Sequence, residues 1–275
     1  MHQLNRLAPK TTGEALDQYF TKPEIVRHCL AALGDLDRYD LVVEPSAGNG
    51  VFLNKVTHKN KIGLDIDPQH EEVIQADWFE YNVPSRYERV LVVGNPPYGQ
   101  YHKLSSAFIQ RSMSFENVCT IAFILPNVYR KHTRQRIIPE DWRIASITDL
   151  GRDCFTLDGT DYHVPTSFFV LDKSPGLDLR VQLPEKITGT QDFDFATKKD
   201  FDVFVFGASP KRIITNPKPN NRGYYLKSKV PVKILIDRIR NVDWKGNSCA
   251  NGGVYWLTKY EFIDQYNKQY ASRRI

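Results

Sequence analysis

Gly94-Asn95-Pro96-Pro97-Tyr98-Gly99 is the most informative segment of the 275-residue chain. Its two prolines fix φ and remove two N–H donors, which leaves a stiff loop with free carbonyls. Asn95 offers a side-chain oxygen acceptor, and the Pro96 carbonyl offers a second. Two converging acceptors match an NH2 group, which has two hydrogens to donate. Tyr98 adds a ring able to stack on a flat heterocycle. These residues together make a site for an aromatic amine or an amide. Acceptors fixed in advance stabilise the positive charge that develops on such a nitrogen as it attacks an electrophile. Neither a metal nor a strong base is needed before the attack.

A second cluster precedes it. Glu44-Pro45-Ser46-Ala47-Gly48-Asn49-Gly50 follows an apolar run, and Gly48 and Gly50 let the backbone turn tightly beside a ligand. The loop lacks the Gly-x-Gly-x-x-Gly pattern of dinucleotide sites and the Lys-Ser/Thr ending of phosphate loops. The acid just before it suits a cationic ligand, such as a sulfonium amino acid with a free ammonium group. Further on, Gly63-Leu64-Asp65-Ile66-Asp67-Pro68 carries an acid at the tip of the next apolar run. That position is suited to ribose hydroxyls, and Asp65 is the residue assigned to it. Asp67, before Pro68, fits a turn or a helix N-cap.

Loops of this kind need strands to carry them. Short apolar runs at 41–43, 61–65, 90–93, 120–125 and 167–171 read as strands covered on both faces. Helical stretches at 24–33 and 105–114 lie between them, and Thr21-Lys22-Pro23-Glu24 reads as a capping box. The alternation implies an α/β fold, a doubly wound Rossmann-like sheet. Beyond Asp172 the pattern changes at Lys173-Ser174-Pro175-Gly176. Helices are expected at 232–239 and 260–270, with a strand-like 254–257. The division is therefore a catalytic domain over residues 1–175 and a small C-terminal α+β module over 176–275.

The segments resemble, in the same order, those of amino-group DNA adenine methyltransferases whose cofactor motifs precede an Asn-Pro-Pro-Tyr motif. Tyr19, Phe20 and Thr21 in Asp17-Gln18-Tyr19-Phe20-Thr21-Lys22-Pro23 match the family's contacts to the methionine part of its cofactor. Glu44 to Gly50 is similar to the cofactor loop, with Glu44, Pro45, Ser46, Gly48 and Gly50 as its binding residues. Asp65 and Ile66 match the ribose and adenine contacts. Ala76-Asp77-Trp78-Phe79 resembles the motif whose acid meets the adenine amine and whose aromatic covers the ring, which assigns Asp77 and Trp78. Asn95, Pro96, Pro97 and Tyr98 match the catalytic motif, Asn95 also facing the cofactor. Phe123-Ile124-Leu125-Pro126-Asn127 resembles the strand that follows. The resemblance spans about residues 15–172 and leaves the tail unmatched. It implies a Rossmann-like methyltransferase sheet, S-adenosyl-L-methionine as cofactor, and methylation of adenine N6 in double-stranded DNA. It also implies an aromatic opposite Tyr98 on the target base. Tyr162 is assigned, although spacing alone does not separate it from Phe155.

A base inside a duplex must be flipped out to react, which requires a grip on the flanking backbone. Residues 185–275 hold 17 Lys+Arg against 9 Asp+Glu, and residues 1–184 hold 20 against 23, so positive charge gathers in the last third. Arg130, Lys131 and Arg134, with Lys211, Arg212, Lys227 and Lys229, are the residues assigned to phosphates. Lys218, Arg222 and Lys233 lie beside them, with Tyr224, Tyr225, Tyr255 and Trp256 interleaved. The alternative is an Asn-Pro-Pro-Tyr methyltransferase acting on RNA or on a protein glutamine amide. Such enzymes usually carry Asp-x-Gly-x-Gly in the cofactor loop. A further alternative, a DNA-binding module on an inactive fold, is expected to have lost Asn95 or the glycines. A partner restriction endonuclease, the recognition sequence and the oligomeric state are left open. No apolar run reaches the roughly 18 residues of a membrane span. No secretory h-region follows the N-terminus. The four cysteines do not fit zinc spacing. These absences point to a cytoplasmic protein without a metal or membrane partner.

Overall fold

The computed structural model describes residues 20–157, 160–162, 164–182, 188–244 and 256–270. The chain enters through β1 (Phe20–Thr21) and α1 (Pro23–Leu33). It continues through β2 (Leu41–Glu44), α2 (Val51–Lys55), β3 (Lys61–Asp65), β4 (Val73–Gln75) and β5 (Val90–Gly94). A 3-10 turn at Gln100–His102 leads into α3 (Lys103–Met113) and β6 (Val118–Pro126). A second 3-10 turn at Asn127–Arg130 and the short α4 (His132–Gln135) follow. Then come β7 (Arg143–Gly151), β8 (Phe155–Leu157), β9 (Thr160–Tyr162) and β10 (Thr166–Asp172).

Seven strands form one sheet in the order β4-β3-β2-β5-β6-β10-β7. Pairing is parallel from β4 through β6, whereas β10 runs antiparallel to both of its neighbours. From β2 the chain builds outward to β3 and β4, then returns to lay down β5 and β6 on the other side. The reversal opens a crevice between the carboxyl ends of β2 and β5. This is the doubly wound, Rossmann-like α/β sheet expected from the apolar runs.

Alternation along the strands explains why runs apolar throughout are stable here. Leu41 and Val43, Val90 and Val92, Ile121 and Phe123, and Phe169 and Leu171 face one core with Phe108 and Ile109 of α3. Val42, Leu91, Val93, Ala122, Ile124, Phe168 and Val170 face a second, with Val26, Cys29 and Leu33 of α1 and Phe52 of α2. Each face removes its side chains from water, at about 1.5–3 kcal/mol for a large aliphatic or aromatic residue. The Thr21–Glu24 capping box does not form. Lys22 is the N-cap of α1 without a side-chain cap, because Thr21 is drawn into β1, whose Phe20 and Thr21 pair with Thr156 and Phe155. No helix follows Asp67-Pro68 either; the chain turns there into β4.

Beyond the sheet, β11 (Phe193–Phe195), β12 (Val203–Phe206), β13 (Ser209–Ile214) and β14 (Gly223–Ser228) form an antiparallel sheet in the order β11-β14-β12-β13. Helices α5 (Val232–Asn241) and α6 (Lys259–Tyr270) complete it. They share a core built on Phe193, Val203, Val205, Leu226, Leu235, Ile239, Trp244, Phe262 and Tyr266. A reciprocal capping box opens α6: Glu261 N–H donates to Thr258 Oγ1, and Thr258 N–H donates to the Glu261 carboxylate. Buried Asp192 accepts from Arg238 and from the Tyr266 hydroxyl, each at 2.6 Å. Residues 173–181 still fasten to the first unit: Leu179 N–H donates to the Ile144 carbonyl of β7, and Val181 N–H to the Gln135 side chain of α4. The expected strand at 254–257 falls partly outside the described residues. Among the described residues no helix is long and apolar enough to cross a membrane.

Candidate active site

Glu44, the last residue of β2, points its carboxylate at the start of α2. Its Oε2 accepts the Leu53 N–H at 2.8 Å, and the side chain is only 3% exposed. Burial, reinforced by nearby Asp65, holds the Glu44 carboxyl well above the usual carboxylate range. The loop after β2 turns through two left-handed glycines, Gly48 at φ +49° and Gly50 at φ +73°. Gly48 N–H donates to Asp65 Oδ2 at 2.7 Å, and Ala47 N–H donates to the Leu64 carbonyl at 2.8 Å. The ends of β2 and β3 are thereby stitched together. Asp65 Oδ1 also accepts the Asp67 N–H, which makes the turn after β3 a product of Asp65.

β5 delivers the proline loop to the same place. Asn95 carbonyl accepts the Ser46 hydroxyl at 3.3 Å, tying the two loops across the crevice. Asn95 Oδ1 is buried and has no hydrogen-bond partner among the described residues. Tyr98 is 8% exposed and packs edge-on against Phe155 and His102, with centroids 6.5 and 6.3 Å away. Phe155, fully buried, is therefore a wall behind Tyr98, with no free face for a ligand.

One cavity joins these pieces. It is bordered by Phe20, Thr21, Glu44, Pro45, Ser46, Gly48, Asp65, Ile66, Asp77, Trp78, Asn95, Pro96, Pro97 and Tyr98. Among the described residues the lining contains three acids, Glu44, Asp65 and Asp77, and no lysine, arginine or histidine. Such a wall repels phosphate and favours a cation. Ile66 is half exposed and Phe79, also in the lining, is 37% exposed. Phe79 is held edge-on by Phe108 at 5.1 Å, while Asp77 is fixed by its own turn, Oδ1 accepting the Phe79 N–H at 2.9 Å. Two apolar surfaces near two acids make a slot for a flat ring bearing an amine and a diol.

Several assigned residues are placed differently. Trp78 borders the cavity, but its indole is 1% exposed and packs on Tyr81 and Phe115, so Phe79 is the aromatic with surface to offer. Gly50 starts α2 with His70 against it, outside the lining. Lys131 is turned inward. It is 7% exposed, and its ammonium donates to the Trp256 carbonyl and faces Glu261 at 3.6 Å, fastening the large sheet to the C-terminal module. Lys227 pairs with Asp200 and Asp202, and Lys229 with Asp194, so acids already neutralise both. Arg130 donates to Ser167 and lies 3.5 Å from Asp149. Arg134 holds the Tyr101 carbonyl at 2.9 Å. Lys211 and Arg212 stay exposed on β13, the guanidinium lying over Phe206. Tyr19 lies outside the described residues, and of Tyr162 only the backbone is described, in register with Phe155. Leu104 and Phe108 also line the cavity and were not singled out. Their i, i+4 spacing on one helix face is the signal that carried them.

No model of a known protein family matches the chain. Over 97 residues it is 30% identical to the type II methyltransferase M.HincII of Haemophilus influenzae, covering 33% of this chain and 19% of that protein. It is likewise 30% identical over 97 residues to the type II methyltransferase M.HindII of the same species, covering 33% and 18%. The match thus spans about a fifth of those relatives. Among solved structures, the M protein of the type I restriction enzyme EcoKI aligns with 57% of this chain and 44% of its own, at 16% identity and a TM-score of 0.44. The 23S rRNA methyltransferase ErmE aligns over 57% and 69%, at 17% identity and a TM-score of 0.41.

Proposed function

We propose that this chain is an S-adenosylmethionine-dependent DNA methyltransferase that methylates the N6 amine of an adenine turned out of the duplex. The observation that carries the reading is Asn95 Oδ1, buried and without a partner among the described residues, in a cavity walled by Glu44, Asp65 and Asp77. A buried acceptor left without a donor costs free energy that a bound N–H group recovers. The local kinship with the two type II methyltransferases supports the choice of DNA.

The residues present fit the cofactor. Glu44 and the adjoining loop suit a methionine ammonium, Asp65 the ribose hydroxyls, Asp77 the adenine amine, and Ile66 with Phe79 the faces of the ring. Phe20 and Thr21 complete the wall at the β1 side. When bound, S-adenosylmethionine supplies a methyl group already activated by its sulfonium. Asn95 Oδ1 and the Pro96 carbonyl accept the two hydrogens of the target amine. They draw electron density onto nitrogen and stabilise the positive charge that grows there. Tyr98 confines the ring, and the stiffness of Pro96-Pro97 lowers the cost of orienting the pair. Residues 1–175 supply this chemistry, and residues 176–275 are the DNA-recognition module, with Lys211 and Arg212 as its phosphate contacts.

The test is incubation with labelled S-adenosylmethionine and genomic DNA, RNA or a mixed protein pool, followed by nucleoside and amino-acid analysis. Label recovered as N6-methyladenine from DNA is the expected result. Label confined to RNA, to glutamine or to cytosine overturns the reading.

A further inference from the structure

The turn directly after the proline loop is strained in a way the chemistry above does not use. Gly99, at φ +64°, is followed by Tyr101 at φ +55° and His102 at φ +60°. Two non-glycine residues in the left-handed region within one turn are costly, and such strain persists only where the surroundings enforce it. Here they do. Arg134 donates to the Tyr101 carbonyl at 2.9 Å. The His102 carbonyl accepts from Ser105 at 3.2 Å, Ser106 at 3.0 Å and the Tyr129 hydroxyl at 3.3 Å. The Tyr129 hydroxyl in turn meets both serine hydroxyls, at 2.8 and 2.7 Å. The His102 ring sits between Tyr98 and Tyr129.

None of these contacts is made by the Tyr101 ring. The ring they present, Tyr101, is 72% exposed and is not part of the lining of the cavity described above. It gains nothing in the free protein from the strain that displays it. It stands three residues past Tyr98, which lines the cavity, and its neighbour His102 packs on the Tyr98 ring. Turning a base out of a duplex leaves a gap in the stack. Inserted side chains hold such steps open, and aromatic rings stack on bases of any sequence. We propose that Tyr101 stacks on the bases bordering that gap and so stabilises the extruded state. This rests on the functional reading above.

The test uses two duplexes carrying the methylated site mapped in genomic DNA. In one the target adenine is paired with thymine; in the other it is mispaired and costs less to extrude. Tyr101→Ala should lower kcat/KM on the paired duplex by about tenfold or more. The loss should be much smaller on the mispaired one, with S-adenosylmethionine binding unchanged. Tyr101→Phe, which keeps the ring, should restore the paired rate. Equal losses on both duplexes, or no loss on either, overturn the role of Tyr101. Wild-type protein that binds the cofactor yet methylates neither duplex overturns the functional reading, and the inference with it.

Discussion

Replacing Asn95 with alanine should make the protein more stable and nearly inactive at once. Among the described residues Asn95 Oδ1 is buried without a partner, a deficit of about 1–3 kcal/mol. The side chain borders a cavity, so its removal widens an existing space and seals no new void. The transfer and cavity losses that usually accompany truncation are therefore small. The net gain is about 1 kcal/mol, or roughly 2–4 °C in Tm for a chain of this size. Catalysis moves the other way. Losing one preorganised group aimed at developing charge costs about 10²–10³ in kcat. Calorimetry on the ligand-free protein and single-turnover transfer to DNA measure the two effects separately. A variant that loses stability while keeping turnover within about threefold would refute the reasoning, since Oδ1 would then be a structural acceptor.

Glu44→Gln tests the buried carboxyl. Its folded pKa lies above the unfolded value near ~4.3, so the native state holds a proton that the unfolded chain has released. Stability then falls as pH rises above that value. In urea melts the variant should gain on wild type with increasing pH, and parallel curves would overturn the assignment. Lys131→Met removes the donor to the Trp256 carbonyl and the cation 3.6 Å from Glu261, and should cost about 1–3 kcal/mol, read as a lower urea midpoint; an unchanged midpoint contradicts it. In DNA binding, Lys211→Ala with Arg212→Ala should reduce the salt slope by roughly 2. Lys227→Ala with Lys229→Ala should leave that slope unchanged, because both ammonium groups already face carboxylates. A slope that drops with the second pair instead reverses the two assignments.

The runs buried on both sides were legible because hydrophobicity alone specifies them: β2, β3, β5, β6 and β10 lie where the sequence places them, within a residue or two. β7 was not legible. Its Arg143, Ser146, Thr148 and Asp149 break up the apolar residues without a regular period, and among the described residues it runs at the sheet edge beside β10. The loops around the cavity were legible through glycine, proline and acid at strand ends, where covalent geometry decides the outcome. Capping was ambiguous for a physical reason. Thr21-Lys22-Pro23-Glu24 and Thr258-Lys259-Tyr260-Glu261 share one pattern, yet the first threonine is claimed by a long-range strand pairing that no local signal announces. The fates of Lys131, Lys227 and Lys229 were hidden likewise. A lysine's partner depends on which acids the fold brings near it, and those acids are distant in sequence or on neighbouring strands.

The pairing of β1 with β8 has a consequence for biosynthesis. Phe20 and Thr21, which wall the cavity, leave the ribosome early, but the strand that seats them is made only after most of the sheet has been translated. The ligand chamber therefore closes late. A nascent chain arrested before Phe155 has emerged would hold the glycine loop and the proline loop and still lack one side of its pocket, and small-molecule capture should switch on abruptly as the β8–β9 hairpin clears the exit tunnel.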